Sequence, residues 1–374
     1  MLPRSKRSFT MIADSAPHRA STRGVVRNWR RLAGNVSLAL LACGMTLLAA
    51  EALIRLVGLA PPTGLFTVTD QEYARVPGIF SPNQSVTEGT GTRFAHATRI
   101  DSLGYRGADF PRRKADREFR ILYAGDSFTY GHNVADHETL PAQLEQQLST
   151  VCTKAQVINA GLSGSTIDGQ DEMVLRGLTV APDLVVLMYH ENDIDELMGA
   201  RIWSGLAENR RIKSRLPASL VYRFLRRSAI WNLALDARRA FLFQPVKSWA
   251  RPSDQEAPVD AVEAAQREYI DRLSALADTL RELGTPLVFA LFPHPESARA
   301  GQGGRDYDRI RASAMQIGLP TVDFLATLHG AGVRVEDTFL LPEDYHPSAR
   351  GYRIAATALS EAVLPFAPRA SCRP

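Results

Sequence analysis

Short apolar runs alternate with longer segments of helical periodicity from residue 119 towards the end of the chain. The apolar runs are typical of strands buried on both faces of a sheet, and they occupy 119–124, 156–159, 184–189, 286–292 and 321–324. The intervening segments place apolar residues on one helical face, at 138–150, 168–179, 262–283, 306–317 and 348–363. Strands that alternate with helices predict an α/β fold with a five-stranded parallel sheet covered on both faces.

Two segments depart from this alternation. Residues 58–115 are dense in Gly, Pro and Thr and lack a sustained period, so we expect a connector that lies on the main domain. Residues 195–258 are helical in period and mix Arg with aromatic residues, which predicts a helical insertion within a domain spanning 116–374. Its charges favour a solvated helical pair, and the alternative is a lid or a platform for an anionic or glycan substrate.

An uncharged stretch of 19 residues, Leu32–Ala50, precedes the connector. As a helix it would span about 28 Å, close to the hydrocarbon core of a bilayer. Eight basic residues and one acidic residue lie before it, in 1–31, and few cations follow it. This asymmetry predicts a basic cytoplasmic tail (1–31), a transmembrane signal anchor (32–57) and an extracytoplasmic, periplasmic main domain.

The apolar stretch fits a signal anchor better than it fits a signal peptide, a lipoprotein signal or a core helix. A cleaved signal peptide normally has a much shorter charged region than this chain has. A lipoprotein signal at Cys43 does not fit, because the apolar run continues past that residue. A helix buried in a soluble core would not account for the change of charge across the stretch.

The basic tail also accounts for the net charge. The whole chain carries +4, whereas residues 1–31 carry +7, so the remainder is mildly acidic. There is no zinc-finger spacing and no basic helix interleaved with aromatic residues, and nucleic acid is therefore not an expected partner. The hydrophobic content of 45% and charged content of 22% are ordinary for a globular chain.

Residues that can carry chemistry follow the ends of three predicted strands and precede the last predicted helix. They form four blocks: Gly125–Gly131, Asn159–Gly161, His190–Asp193 and Glu343–Pro347. Ligands of a parallel α/β sheet bind outside the carboxyl ends of its strands, so we expect all four blocks at one rim. Taken singly, each block could be purely structural. Ser127 could cap a helix, Asn192 could lie in a turn, and His346 could be a surface loop residue. Their conjunction favours catalysis.

In order and content, these blocks resemble the SGNH/GDSL hydrolase superfamily over roughly residues 119–364. The resemblance implies a three-layer, flavodoxin-like sandwich and hydrolysis of an ester through an acyl-enzyme. It implies Ser127 as the nucleophile and His346 as its base, since a serine hydroxyl is a poor nucleophile until a neighbouring base takes its proton. It assigns the oxyanion donors to the backbone N–H groups of Ser127 and Gly161 and to the side-chain amide of Asn192. We expect supporting roles for three further residues: Asp126, Asn159 and Asp193.

Two features depart from the superfamily pattern. His190 stands where the third block ordinarily has glycine, and we expect it to affect the shape of the loop and to narrow the site. The acid that orients His346 is the second departure, because Glu343 stands three places before the histidine and Asp344 two places before it. Related enzymes use an Asp-x-His arrangement, so Asp344 is the preferred acid and Glu343 the alternative.

The cysteines allow one further hypothesis. Spacing alone cannot pair Cys152 with Cys372. In a flavodoxin-like order, however, the first and last helices of the sheet domain pack on the same face and bring both cysteines to its bottom edge. We therefore expect a Cys152–Cys372 disulfide, which would persist outside the cytoplasm.

These expectations add up to a serine esterase of the SGNH/GDSL type. Its substrate is expected to be a small-molecule or glycan ester, with a short acyl group such as acetyl, on an envelope carbohydrate or lipid. An O-acyltransferase that uses the same acyl-enzyme and a non-catalytic glycan-binding module are the alternatives. No cofactor is expected. No metal is expected either, because His132, His190 and His294 lack recognisable ligand spacing. The sequence does not indicate the oligomeric state.

Overall fold

A computed structural model describes residues 22–57, 65, 67–68, 79–89, 92–198, 225, 227–234, 258–369 and 371–373. Most of the predicted tail and most of the predicted insertion lie outside these residues. The strands are β1 Thr67–Val68, β2 Ile79–Phe80, β3 Gln84–Glu88, β4 His96–Ile100, β5 Glu118–Gly125, β6 Lys154–Gly161, β7 Leu184–His190, β8 Leu287–Phe292 and β9 Thr321–Asp323. The helices are α1 Thr22–Leu56, α2 Ser127–Tyr130, α3 Leu140–Leu148, α4 Ile167–Gly177, α5 Asn192–Leu197, α6 Val259–Glu282, α7 Pro295–Ala300, α8 Arg305–Gln316, α9 Phe324–Gly330, α10 Val335–Thr338 and α11 Ala349–Val363.

The predicted five-stranded parallel sheet is confirmed. Its strands lie in the order β6-β5-β7-β8-β9, and every neighbouring pair is parallel. This is the flavodoxin-like order: β6, the second of these strands along the chain, lies at the edge of the sheet, and β5, the first, lies next to it. All residues of β5, β7 and β8 are buried, as expected for strands covered on both faces.

Successive side chains of β5 point to opposite faces of the sheet, and each face packs in its own apolar core. The domain therefore has three layers, with helices on both sides of the sheet. Leu122 and Ala124 pack with residues of α4, α6 and α8. Ile121 and Tyr123 face the opposite side and pack with residues of α3, α9 and α11. The parallel arrangement brings the carboxyl ends of the five strands to one rim, where the four blocks singled out in the sequence lie.

The connector is more regular than its sequence suggests. Its strands β3 and β4 form an antiparallel hairpin. Arg106 then bridges to Asn159 on the outer edge of the parallel sheet. The hairpin was not predicted because polar and small residues occupy most of both strands, so no apolar alternation is visible in Gln84–Glu88 or His96–Ile100.

Helix α1 contains the predicted anchor. The most apolar 18-residue window of Leu32–Leu56 has a mean hydropathy of 2.0 and none of it is buried, so the segment is a candidate membrane span by length and composition. The helix begins at Thr22, within the predicted tail. Glu51, which interrupts the apolar run, accepts hydrogen bonds from the backbone of Ala229 and Ile230 at 2.7 and 3.1 Å. The described part of the predicted insertion therefore contacts the end of this helix.

A disulfide joins Cys152 to Cys372, whose Cα atoms are 3.8 Å apart. Cys152 follows α3, and Cys372 lies nine residues beyond α11. Helices α3 and α11 pack in the same apolar core, so the bond ties the end of the chain to this face of the sheet.

Candidate active site

Ser127 is the first residue of the short helix that follows β5. Asp126 caps this helix, its carboxylate accepting a hydrogen bond from the backbone N–H of Phe128 at 2.9 Å. The backbone N–H of Ser127 has no partner within the helix, because it belongs to the first turn. Ser127 as a whole is 8% exposed. The turn thus presents a hydroxyl and an available N–H at the rim of the sheet.

His346 lies against that hydroxyl. Its Nε2 is 2.9 Å from Ser127 Oγ, and its Nδ1 is 2.5 Å from Asp344 Oδ1. A carboxylate only accepts hydrogen bonds, so Nδ1 carries the proton and Nε2 is left to accept the proton of the serine hydroxyl. The three side chains are therefore arranged as nucleophile, base and orienting acid.

Asp344, and not Glu343, contacts the imidazole. Asp344 Oδ1 also accepts the backbone N–H of His346 at 2.8 Å. Burial raises the pKa of Asp344, but hydrogen bonds from His346 and attraction to its ring outweigh this and lower the pKa to about 2. Glu343 instead pairs with Arg93 on the surface, where about half of each side chain is exposed.

Asn192 is the first residue of α5, immediately after β7. Its side chain lies close enough to the Asp126 carboxylate to lower the pKa of that group, and Ser127 Oγ is 3.4 Å from Asp126 Oδ2. Burial raises the pKa of Asp126, and the Phe128 N–H, the His346 ring and the Asn192 and Ser127 side chains oppose that rise. The amide of Asn192 is thus held beside the nucleophile.

Gly161 ends β6 and pairs across the sheet with Gly125. Its N–H donates to Asn159 Oδ1 at 3.0 Å, so this predicted oxyanion donor is engaged within the protein. A Cβ at Gly161 would lie 2.1 Å from the backbone nitrogen of Tyr130. Glycine is thus required here by the protein's own helix α2, in addition to the close approach of a ligand that the sequence suggested.

The expected supporting residues occupy the layer beneath. Asn159 donates to the carbonyl of Tyr130 at 3.2 Å and so holds the end of α2. Asp193 is fully buried and accepts hydrogen bonds of 3.4–3.5 Å from Gln170 and from the backbone of His190. Burial, followed by repulsion from Asp126, raises the pKa of Asp193 well above its ordinary range.

The loop that follows α2 also contacts the candidate site, and the sequence did not indicate this. Asn133 Nδ2 donates to Asp344 Oδ2, opposite the side that contacts His346. Arg106 of the connector is buried and donates to the carbonyls of Gly131 and Val134, each at 2.6 Å. Asn133 has φ of 59°, a left-handed conformation that asparagine tolerates, and this preference is the one local signal that singles it out.

His132 lies in the same loop and faces the site. Its ring centroid is 4.7 Å from that of His346. Burial, followed by repulsion from His346, lowers the pKa of His132 to about 4, so the ring is neutral near pH 7. His132, Asp344 and His346 offer ligand atoms within 4.8 Å of one another that could hold a metal ion. The expectation of a metal-free site therefore stays a prediction.

His190 and His294, which the sequence singled out together with His132, lie in different surroundings. His190 was expected at a loop or rim, and it is the buried last residue of β7. His294 lies immediately before α7 without a side-chain capping bond, and its backbone N–H donates to Glu191 at 3.2 Å. Burial lowers the pKa of His190 well below its ordinary value.

Comparisons with known proteins identify one family. The model of the GDSL-like lipase/acylhydrolase family matches residues 123–354. Among solved structures, the esterase EstA from Pseudoalteromonas sp. is 14% identical, with a TM-score of 0.39 over 66% of this chain and 98% of that one. The acetylxylan esterase Axe2 from Geobacillus stearothermophilus is also 14% identical, with a TM-score of 0.39 over 66% of this chain and 94% of that one. No curated protein sequence matches the chain.

The matched range contains all four blocks of the rim and spans more than half of the chain. The chain belongs to the GDSL-like lipase/acylhydrolase family and is an enzyme that hydrolyses ester bonds.

Proposed function

We propose that the protein is a membrane-anchored serine esterase that removes short acyl groups, such as acetyl, from an envelope carbohydrate or lipid. The observation that carries the catalytic part is the continuous contact Ser127–His346–Asp344, with separations of 2.9 and 2.5 Å. The two hydrogen bonds lie at opposite nitrogens of one ring. A base is therefore aimed at the hydroxyl while its other nitrogen is fixed by a carboxylate.

The proposed reaction runs in two halves. Ser127 Oγ attacks the ester carbonyl while His346 Nε2 takes the hydroxyl proton. The Asp344 carboxylate stabilises the imidazolium that results. The imidazolium then returns the proton to the departing alcohol, which leaves an acyl-serine. A water molecule, deprotonated by the same nitrogen, then attacks the acyl carbon. The bond to Ser127 Oγ breaks, the carboxylic acid leaves, and the imidazolium returns its proton to Oγ.

The tetrahedral intermediates need donors for their oxyanion. The Ser127 N–H is unpaired within its helix, and the Asn192 amide lies beside the nucleophile. Gly161 is the third proposed donor, and it would share its N–H between Asn159 Oδ1 and the oxyanion. Removing one such donor typically lowers kcat by about 10²–10³-fold.

The preference for a short acyl group rests on what packs around Ser127. The Phe128 side chain stacks on the His190 ring, with centroids 3.6 Å apart. The glycine that the third block ordinarily has in place of His190 would leave this space unfilled. Tyr345 and His346 form a second stacked pair with centroids 4.5 Å apart. We propose that these rings limit the length of the acyl chain that fits beside Ser127.

The proposed cellular arrangement rests on the first 57 residues. The basic tail (1–31) lies in the cytoplasm and the span (32–57) crosses the membrane. The connector (58–115) and the hydrolase domain (116–374) lie in the periplasm. The apolar, exposed helix Leu32–Leu56 supports this assignment, as do the excess of basic residues before it and the disulfide in the catalytic domain.

Full-length protein in detergent would be assayed on p-nitrophenyl esters from acetate to octanoate and on acetylated oligosaccharides. We expect the highest kcat/KM for acetyl esters and a fall of several orders of magnitude for Ser127→Ala. Ser149→Ala, at an exposed serine that follows α3, is the control. Turnover that requires an added sugar acceptor would indicate the acyltransferase instead. Wild-type activity no greater than that of Ser127→Ala would rule out both enzymes and favour the binding module.

A further inference from the structure

His190 occupies the position where the third catalytic block ordinarily has glycine. It is 1% exposed and is the last residue of β7, two places before Asn192. Its ring lies almost parallel to that of Phe128, at an interplanar angle of 21°. The imidazole is therefore a fixed part of the floor of the site, since both its backbone and its ring are held.

The ring contacts Asn192 directly. Nδ1 of His190 is 2.6 Å from Oδ1 of Asn192. An amide oxygen only accepts hydrogen bonds, so this 2.6 Å contact requires a proton on Nδ1 of His190. The backbone nitrogen of Asn192 is 3.4 Å from the same Nδ1 and would require the opposite tautomer, and we assign the proton from the shorter contact. Nε2 is buried without a hydrogen-bond partner among the described residues. Since burial keeps this ring neutral, Nε2 carries no proton and leaves no donor unsatisfied.

The Asn192 amide also lowers the pKa of Asp126, as an N–H that faces a carboxylate does. A carboxylate accepts and a protonated Nδ1 donates, so the two neighbours admit one orientation of the amide. Rotating the amide by 180° would place its oxygen against the carboxylate and its NH₂ against the Nδ1–H. In the permitted orientation one amide hydrogen binds Asp126 and the second is left for a ligand.

We propose that His190 is a positioning residue that fixes the side-chain amide of Asn192 so that its second N–H points at the oxyanion. This inference rests on the proposed function, because it requires Asn192 to act as an oxyanion donor. An interaction made only in the transition state raises kcat and leaves KM nearly unchanged. His190 acts through Asn192 and makes no contact of its own with the reacting atoms.

Two variants of His190 separate its hydrogen bond from its packing. His190→Phe keeps an aromatic ring against Phe128 and removes the donor. His190→Asn keeps a donor close to the position of Nδ1 and removes the ring. We expect His190→Phe to lower kcat by about 10–100-fold with KM changed less than about threefold. We expect His190→Asn to recover at least about tenfold of that loss. Loss of activity in both variants to the same extent would indicate a packing role and overturn the inference.

A double-mutant cycle with Asn192→Ala tests the mechanism itself. If His190 acts through Asn192, His190→Phe should change kcat by less than about threefold once Asn192 is absent. Independent, multiplicative effects of the two substitutions would contradict the inference. A wild-type kcat in Asn192→Ala would instead show that the proposed oxyanion site is wrong. The two failures are therefore distinguishable.

The tautomer of His190 can also be read without any variant. ¹⁵N NMR of the full-length wild-type protein should show the proton on Nδ1 and an unprotonated Nε2. A proton on Nε2 would overturn the inference even if His190→Phe did not fold. The melting temperatures of all variants, measured in parallel, show which of them retain the native structure.

Discussion

The identity of the triad acid can be tested by one matched pair of substitutions, Asp344→Asn and Glu343→Gln. Each removes one negative charge, at neighbouring positions, with almost no change in volume. In the structure Asp344 Oδ1 accepts two hydrogen bonds from His346, at 2.5 and 2.8 Å, and Oδ2 accepts one from Asn133. Glu343 touches none of these groups.

The size of the effect can be bounded from these contacts. The pKa of Asp344 is lowered to about 2. Compared with an aspartate of ordinary pKa, its charged form is therefore stabilised by about 2 kcal/mol relative to its protonated form. That charge also attracts the imidazolium that forms in the transition state, and its removal from a serine–histidine–aspartate triad can lower kcat by about 10⁴-fold. We expect Asp344→Asn to lower kcat by between about 10² and 10⁴-fold, or roughly 3–5.5 kcal/mol.

Glu343→Gln should change kcat by less than about threefold, because an ion pair with half-exposed partners contributes at most about 1 kcal/mol. Steady-state kinetics on p-nitrophenyl acetate measures both variants, and circular dichroism shows whether each is folded. The assignment of the acid would be refuted if Asp344→Asn kept more than about a tenth of the wild-type kcat, or if Glu343→Gln lost as much as Asp344→Asn.

Three further predictions concern stability. Gly161→Ala should unfold the protein or lower its melting temperature sharply, because the new Cβ would lie 2.1 Å from the Tyr130 backbone. Cys372→Ser should lower the free energy of unfolding by about 2–5 kcal/mol, since its disulfide joins residues 220 positions apart, and dithiothreitol should have no further effect on that variant. His132 has a pKa of about 4 in the fold and about 6.5 when unfolded, so the unfolded chain binds more protons between these values. Wild type should therefore lose stability relative to His132→Gln as the pH falls through this window. The loss should be on the order of 1 kcal/mol, because 45% of the His132 side chain is exposed and solvent weakens the effect. Urea titration at several pH values measures it.

The sequence predicts the sheet well because its central strands are unambiguous. Every residue of Leu184–His190 is buried in the structure, and the corresponding apolar run has no helical period. Strand β6 was predicted too short because it begins with Lys154 and Gln156, which are not buried at this outer edge of the sheet. Short helices such as Pro295–Ala300 hold too few residues for a helical period to be visible.

Three of the four blocks were identifiable because each follows a strand of a parallel sheet, and topology alone then brings them to one rim. The fourth, Glu343–Pro347, was identifiable because it immediately precedes the last helix. The contacts between loops could not be identified from the sequence. The choice between Asp344 and Glu343 depends on the course of a loop, in which adjacent side chains point in different directions. The roles of Asn133 and Arg106 depend on a connector that has no recognisable period. The sequence suggested that His190 narrows the site, but not that it hydrogen-bonds to Asn192.

A fluorophosphonate probe reports most directly on the reaction of Ser127 with His346 as its base. Full-length protein would be incubated with the probe, digested and examined by mass spectrometry, beside Ser127→Ala and His346→Gln. We predict one adduct, on the peptide that contains Ser127, absent in Ser127→Ala and formed at least about 10³-fold more slowly in His346→Gln. A folded wild-type protein that forms no adduct, or one that reacts at another residue, would contradict the proposed mechanism.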